Sequence, residues 1–258
     1  MPFNAYIFDL DGTVYLGDAL LPTARETVLE LRSRRARTVF LSNNPAHTRF
    51  DYAQKLTRLG LPTSPEDIIN SSMVMADFLK RNHALARHYI IGERPLINEL
   101  REANLILADD GDGVWSADSV IVSFDRTFTY HKLQRAFDLI RNGAHFFATN
   151  ADVYCPTPNG GEPDAGSLIA AIEACTGKKC EAVVGKPSRY MIEAILNILN
   201  LSPEQCIIIG DRLETDVKMG INAGMATALT LTGATNREAV EKSHIKPNFI
   251  LDKLCDLL

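Results

Sequence analysis

Four short segments of this 258-residue chain carry side chains that could do chemistry together, and each lies at the end of an apolar run. The first is Tyr6-Ile7-Phe8-Asp9-Leu10-Asp11-Gly12-Thr13. Side chains alternate across a strand, so Asp9 and Asp11 face one way at its carboxyl end while Leu10 packs on the other side. Two neighbouring carboxylates repel, by roughly 4 kcal/mol at 4 Å and an effective dielectric of 20. A metal ion, a shared proton, or a division of labour between nucleophile and acid would explain such a pair. An Asp-Gly turn is the plain structural alternative.

The second segment runs Val39-Phe40-Leu41 into Ser42-Asn43-Asn44-Pro45 and sets a hydroxyl and an amide where they could hydrogen-bond an oxyanion. Alone, it is an ordinary turn sequence. In the third, Gly185-Lys186-Pro187-Ser188 follows the apolar run Ala182 to Val184. Pro187 biases Lys186 toward extended backbone, and Ser188 can cap the helical pattern that follows. The fourth, Ile207-Ile208-Ile209-Gly210-Asp211, continues to Glu214 and Asp216 and again puts acids at the end of a buried strand.

The elements that must position these groups alternate. Strand-like runs at Ala5 to Phe8, Thr38 to Leu41, Ile207 to Ile209 and Thr227 to Leu231 are separated by helical periodicity after Pro22 and after Ser188. This pattern predicts an α/β fold, a Rossmann-like doubly wound parallel sheet covered on both faces, whose ligands bind at the carboxyl ends of the strands. A β-α-β crossover needs on the order of 30 residues. Asn43 and Lys186 are 143 positions apart, and the stretch between them has its own strand-like runs (Tyr89 to Ile91, Val120 to Ser123, Phe146 to Thr149) and helix-like runs (Lys132 to Ile140, Ser167 to Cys175). An inserted second α/β domain is therefore expected, dividing the chain into residues 1–78, an insert over 79–182, and 183–258. Asp109 to Gly113, including Gly111-Asp112-Gly113, and Pro156 to Gly166 read as loops within it. Met219 to Asn236 is long and uncharged but broken by glycines and threonines, and reads as turn, strand and loop.

Composition narrows the partners. With 27 Lys and Arg against 32 Asp and Glu the net charge is −5, the wrong sign for holding a nucleic-acid polymer by phosphate neutralisation. An anionic small substrate needs a local positive feature. The five cysteines form no C-x-x-C pair and predict reduced, buried thiols. With no basic segment at the start, and a carboxylate at Asp9 before an apolar stretch of signal length can form, no export signal is expected; a cytoplasmic protein with no membrane association is the expectation. None of the six histidines has ligand spacing, so each reads as surface or core.

In chain order, Asp9-x-Asp11-Gly12-Thr13, the run ending in Ser42, Lys186, and Gly210-Asp211 with Asp216 resemble the four motifs of the haloacid dehalogenase (HAD) superfamily. The long insertion between the second and third resembles a type II cap. Leu41-Ser42-Asn43-Asn44, Ala148-Thr149-Asn150-Ala151-Asp152, Val184-Gly185-Lys186-Pro187-Ser188 and Gly210-Asp211-Arg212-Leu213 are similar to the NagD-like sugar-phosphate and nucleotide phosphatases, a group that includes the 4-nitrophenyl phosphatases.

The resemblance implies a Mg²⁺-dependent phosphomonoester hydrolase acting on a small phosphorylated metabolite, such as a sugar phosphate or nucleotide monophosphate. It makes Asp9 the nucleophile of an aspartyl-phosphate and Asp11 the general acid and then base. Lys186 neutralises Asp9 and steadies the phosphoryl oxygens. Thr13, Ser42 and Asn43 bind the phosphoryl group. Asp9, the Asp11 backbone carbonyl and Asp211 hold the Mg²⁺, with Asp216 orienting metal-bound water; Glu214 fits equally as an acid in a first helical turn. Asp9, Asp11, Asp211 and Asp216 contribute −4 and Lys186 +1, so a net −3 faces a phosphate dianion until a divalent cation reduces it to −1. Asn150 and Asp152 match a subfamily cap pattern and are the expected substrate-facing groups of the cap; a polar strand exit is their bland reading. A homodimer is compatible with a type II cap.

Two alternatives are a phosphotransferase of the same superfamily and a non-catalytic phosphosugar-binding module. The second would not need both Asp9 and Asp11. A dehalogenase would not need Asp11, and a phosphomutase of this superfamily usually carries its cap between the first two motifs, where only 29 residues separate Thr13 from Asn43.

Overall fold

In the computed structural model, residues 3–108, 116–157 and 160–258 are described. The expected loop at Asp109 to Gly113 lies outside them. The chain folds as two compact units, residues 1–42, 49–69 and 186–258 in the first and 43–48 and 70–185 in the second.

The first unit is built on a six-stranded sheet in the order Phe249–Leu251, Ala226–Thr230, Cys206–Gly210, Ala5–Asp9, Arg37–Ser42, Ile68–Asn70. Ala5–Asp9 is central and pairs in parallel with Cys206–Gly210 on one side and Arg37–Ser42 on the other. Every residue of the Ala5–Asp9 and Cys206–Gly210 strands is buried, as continuous apolar runs demand when helices cover both faces of a parallel sheet. Because the three strands run the same way, Asp9, Ser42 and the residue after Gly210 emerge at one edge. Tyr6, Phe8 and Phe40 stack along one face of the sheet, and Ala24–Ser33 buries Ala24, Thr27, Val28 and Leu31. Ser188 caps Arg189–Leu199 by accepting from the Met191 amide.

Two segments differ from the sequence reading. Within Met219 to Asn236 the structure has the end of a helix, Lys218–Ala223, where a turn was expected. Gly220 sits inside it because a Cβ there would come within 2.4 Å of Thr227 and 2.5 Å of Ile208, so the glycine marks close packing of helix on sheet. In the second unit, Pro156 to Gly166 is no plain loop. Tyr154–Thr157 pairs antiparallel with Gly160–Pro163, and Ala165–Thr176 follows as a helix with Asp164 accepting from the Ala165 amide at its start. Glycine and proline mask strand pairing from a propensity reading.

The second unit has a five-stranded sheet in the order Ala182–Val183, His145–Ala148, Ser119–Val122, Arg87–Ile91, Ile106–Leu107, all parallel. Its core gathers Tyr89, Ile91, Val120, Val122, Phe146 and Ile172. His88 is fully buried, with Nδ1 2.7 Å from Ser119 Oγ. Burial, reinforced by His83 and opposed by Asp118, pushes His88 down from 6.5 to about 4. The unfolded chain then binds the proton first, so stability is intact above pH 6.5 and is lost as pH falls toward 4. Between pH 7 and 4, the protein should lose on the order of 2 kcal/mol more unfolding free energy than His88→Gln in paired denaturant titrations; parallel curves would contradict this.

All five cysteines are free, as expected, but only Cys206 is buried; Cys175 is exposed and the others are half-buried. Among the described residues, no helix is long and apolar enough to cross a membrane.

Candidate active site

The sheet edge of the first unit brings together Asp9, Lys186, Asp211 and Asp216. Lys186 Nζ donates to Asp9 Oδ1 at 2.5 Å and to Asp216 Oδ1 at 2.7 Å, and all three residues are buried. Burial alone would push the ammonium down; the Asp216 and Asp9 carboxylates outweigh it and hold Lys186 well above the ordinary lysine range. Asp216 Oδ2 accepts from the Arg212 amide at 3.2 Å. A π-helical turn, Leu213–Val217, carries Asp216, and such widened turns frequently mark functional positions.

Asp211 lies in a cradle. Its Oδ2 accepts from the Ala234 amide at 2.6 Å. Cβ atoms at Gly12 and Gly233 would come within 2.6 and 2.0 Å of the same oxygen, so only glycine fits at either place. Gly12 also needs its φ of +84° to turn the chain after Asp11. Asp211 Oδ1 is buried with no partner among the described residues. One carboxylate oxygen each from Asp9, Asp211 and Asp216 lies within 4.8 Å of the others.

Burial, with the charges of Asp216 and Asp211 set against Lys186, raises the Asp9 carboxyl well above its ordinary range, and burial with Asp216 raises Asp211. Three buried carboxylates around one lysine are short of positive charge. An orphaned oxygen, an all-oxygen donor set and this deficit fit a hard divalent cation. Gly210 backs the cluster, since a Cβ there would come within 2.3 Å of the Asp216 carboxyl carbon. Gly210→Ala should therefore cost about 2 kcal/mol and lower the melting temperature by about 5 °C, checked by calorimetry.

The other expected residues divide between the units. Asp11 is exposed and accepts from Tyr15 Oη at 3.3 Å. Thr13 is fully buried, its Oγ1 without a partner among the described residues. Ser42 Oγ donates to Tyr52 Oη at 3.1 Å. Glu214 is largely exposed and lies 3.9 Å from Lys218, away from the buried cluster.

Asn43, Asn150 and Asp152 belong to the second unit, where they form a network of their own. Asn43 Nδ2 donates to Asp152 Oδ2 at 3.0 Å. Asn150 Nδ2 donates to the same oxygen at 3.2 Å and to Asp164 Oδ1 at 3.1 Å, and its Oδ1 accepts from Thr149. Asn150 has no exposed surface. Both of its amide protons are thus committed to carboxylates. Sequence reasoning missed Tyr15, Tyr52, Gly233 and Ala234. Only Tyr15, next to the Asp-x-Asp-Gly-Thr motif, carried a positional signal.

A haloacid dehalogenase-like hydrolase profile matches residues 6–106, and a HAD-hydrolase-like profile matches residues 183–257. The chain is 38% identical over 251 residues to the sugar-phosphatase AraL of Bacillus subtilis, covering 97% of this chain and 90% of that one. It is 34% identical over 254 residues to the 5'-nucleotidase YutF of the same organism, covering 98% and 97%. The solved structure of a 4-nitrophenylphosphatase from Thermotoga maritima superposes with a TM-score of 0.93 at 35% identity, covering 99% of this chain and 96% of that one. With the motifs carried on one parallel-sheet edge, these matches show that the chain belongs to the haloacid dehalogenase-like hydrolases, in the group of NagD-like phosphatases.

Proposed function

We propose that this protein hydrolyses the phosphomonoester of a small hydroxylated metabolite, a sugar phosphate or nucleotide monophosphate, through an aspartyl-phosphate on Asp9. The observation that carries this reading is the buried Asp9 carboxylate held by Lys186 at 2.5 Å, in a cluster where Asp211 keeps an unpartnered oxygen. AraL and YutF, named a sugar-phosphatase and a 5'-nucleotidase, supply the substrate classes. A carboxylate oxygen of Asp9 attacks phosphorus; the bond from phosphorus to the leaving oxygen breaks, and Asp11 delivers its proton to that oxygen. Asp11, now a carboxylate, takes a proton from water, whose oxygen attacks phosphorus and frees Asp9 and inorganic phosphate.

Lys186 holds Asp9 in place and balances charge on the phosphoryl oxygens, while Thr13 and Ser42 bind them. Asp9, the Asp11 carbonyl and Asp211 would hold Mg²⁺, with Asp216 supporting it from behind; when bound, the ion neutralises phosphoryl charge. Residues 43–48 and 70–185 act as the cap, in which Asn43 and Asn150 both donate to Asp152 Oδ2.

The reading is tested with 4-nitrophenyl phosphate followed by a panel of phosphorylated metabolites, with Mg²⁺ and with EDTA. Turnover should require the cation and extend to sugar phosphates or nucleotide monophosphates. Turnover indifferent to EDTA, or confined to the aryl ester, would contradict it.

A further inference from the structure

Tyr15 lies four residues past Asp11 and is 1% exposed, packed in the apolar cluster with Phe8, Val14 and Tyr52. A phenylalanine would satisfy that packing. A buried phenol hydroxyl needs a partner, and the partner Tyr15 has is Asp11 Oδ2, 3.3 Å away. The loop between them is closed tightly. The Leu10 carbonyl accepts from the amides of Val14 at 2.9 Å and Tyr15 at 3.2 Å, and Gly12 N donates to the Tyr15 carbonyl at 2.8 Å. The phenol is thereby fixed relative to the Asp11 backbone.

Lys55, on the helix Arg49–Arg58, places Nζ 3.8 Å from the centre of the Tyr15 ring, a cation–π contact that pins the ring from the other element. Asp11 itself is exposed and immediately precedes the turn at Gly12.

We propose that Tyr15 is a positioning residue that fixes the Asp11 carboxyl for proton delivery to the leaving oxygen. The inference rests on the reading of Asp11 as the general acid. Tyr15 keeps its own proton throughout, donating to Oδ2, while the proton that moves leaves from the other Asp11 oxygen as the phosphorus–oxygen bond breaks. A carboxylic acid held in line is a far better donor than one that must find its place.

The test uses two substrates of nearly the same shape, 4-nitrophenyl phosphate and phenyl phosphate. The nitrophenolate leaves without a proton, whereas phenolate needs one. Because kcat/KM reports only steps through the first bond cleavage, Tyr15→Phe should lower it about 10-fold for phenyl phosphate and less than about 2-fold for 4-nitrophenyl phosphate. Lys55→Met should show a smaller loss with the same split, and it leaves the Tyr15 side chain in place. Equal losses on both substrates, or none on either, would overturn the proposal. Asp11→Asn is the reference. A split in Asp11→Asn without one in Tyr15→Phe refutes the role of Tyr15 alone, whereas no split in Asp11→Asn refutes the acid itself and this inference with it.

Discussion

Asp9→Asn is expected to abolish phosphatase turnover, by on the order of 10⁴-fold or more in kcat, while the protein folds and melts at or above the wild-type temperature. The two halves of this expectation have one cause. Asp9 is buried beside Asp211 and Asp216, and their charges together with burial already strain its ionised form. An asparagine of the same shape removes a nucleophile and also removes one of three crowded negative charges. Lys186 keeps Asp216 as its partner at 2.7 Å. Calorimetry and a steady-state assay on the same sample check both halves; a large fall in melting temperature would mean that Asp9 serves the fold first.

Lys186→Met should do the opposite to stability. The methionine fills the volume, but Asp9 and Asp216 lose the cation that compensates them both at the centre of the unit. Removing one partner of a buried ion pair costs about 3–5 kcal/mol, which for a chain of this size lowers the melting temperature by about 10 °C. Turnover should fall by about 10²–10³-fold, since the charge on the phosphoryl oxygens loses a fixed counter-ion. Lys186→Arg should not restore it, because the bulkier planar guanidinium does not fit a slot that is 6% exposed. Rescue by arginine would show that charge alone matters at this position.

Much of this arrangement is legible in the sequence because a buried parallel strand announces itself. The runs at Tyr6 to Phe8 and Ile207 to Ile209 are continuously apolar, and the polar residue that ends each run must emerge at the ligand-binding edge. The Asp9–Asp11 pair is legible because its repulsion needs a chemical reason. What escaped depends on contacts between residues distant in sequence. Nothing near Gly233 or Ala234 indicates that they would cradle Asp211, because the requirement arises only when residues 22 or 23 positions apart meet. In the sequence Asn150 reads as a substrate-facing group or a polar strand exit, and its bonds with Asp164 and Thr149 are visible only in the fold. The Tyr154–Thr157 and Gly160–Pro163 pairing hid behind prolines and glycines, which speak for a loop in any local reading. The helix at Lys218–Ala223 hid behind a glycine kept for packing against Thr227 and Ile208.

The central claim, that phosphate passes through Asp9, is tested most directly by following one turnover in Asp11→Asn. In that variant 4-nitrophenolate still leaves unaided, but water lacks its base, so the second half of the reaction stalls. Mixing with 4-nitrophenyl phosphate and Mg²⁺ should release a burst of one nitrophenolate per chain, and the acid-quenched protein should carry a phosphoryl group on Asp9 in peptide mass spectra. Nitrophenolate released without a burst and with no phosphoryl group on the chain, or a phosphoryl group found on another residue, would contradict the account.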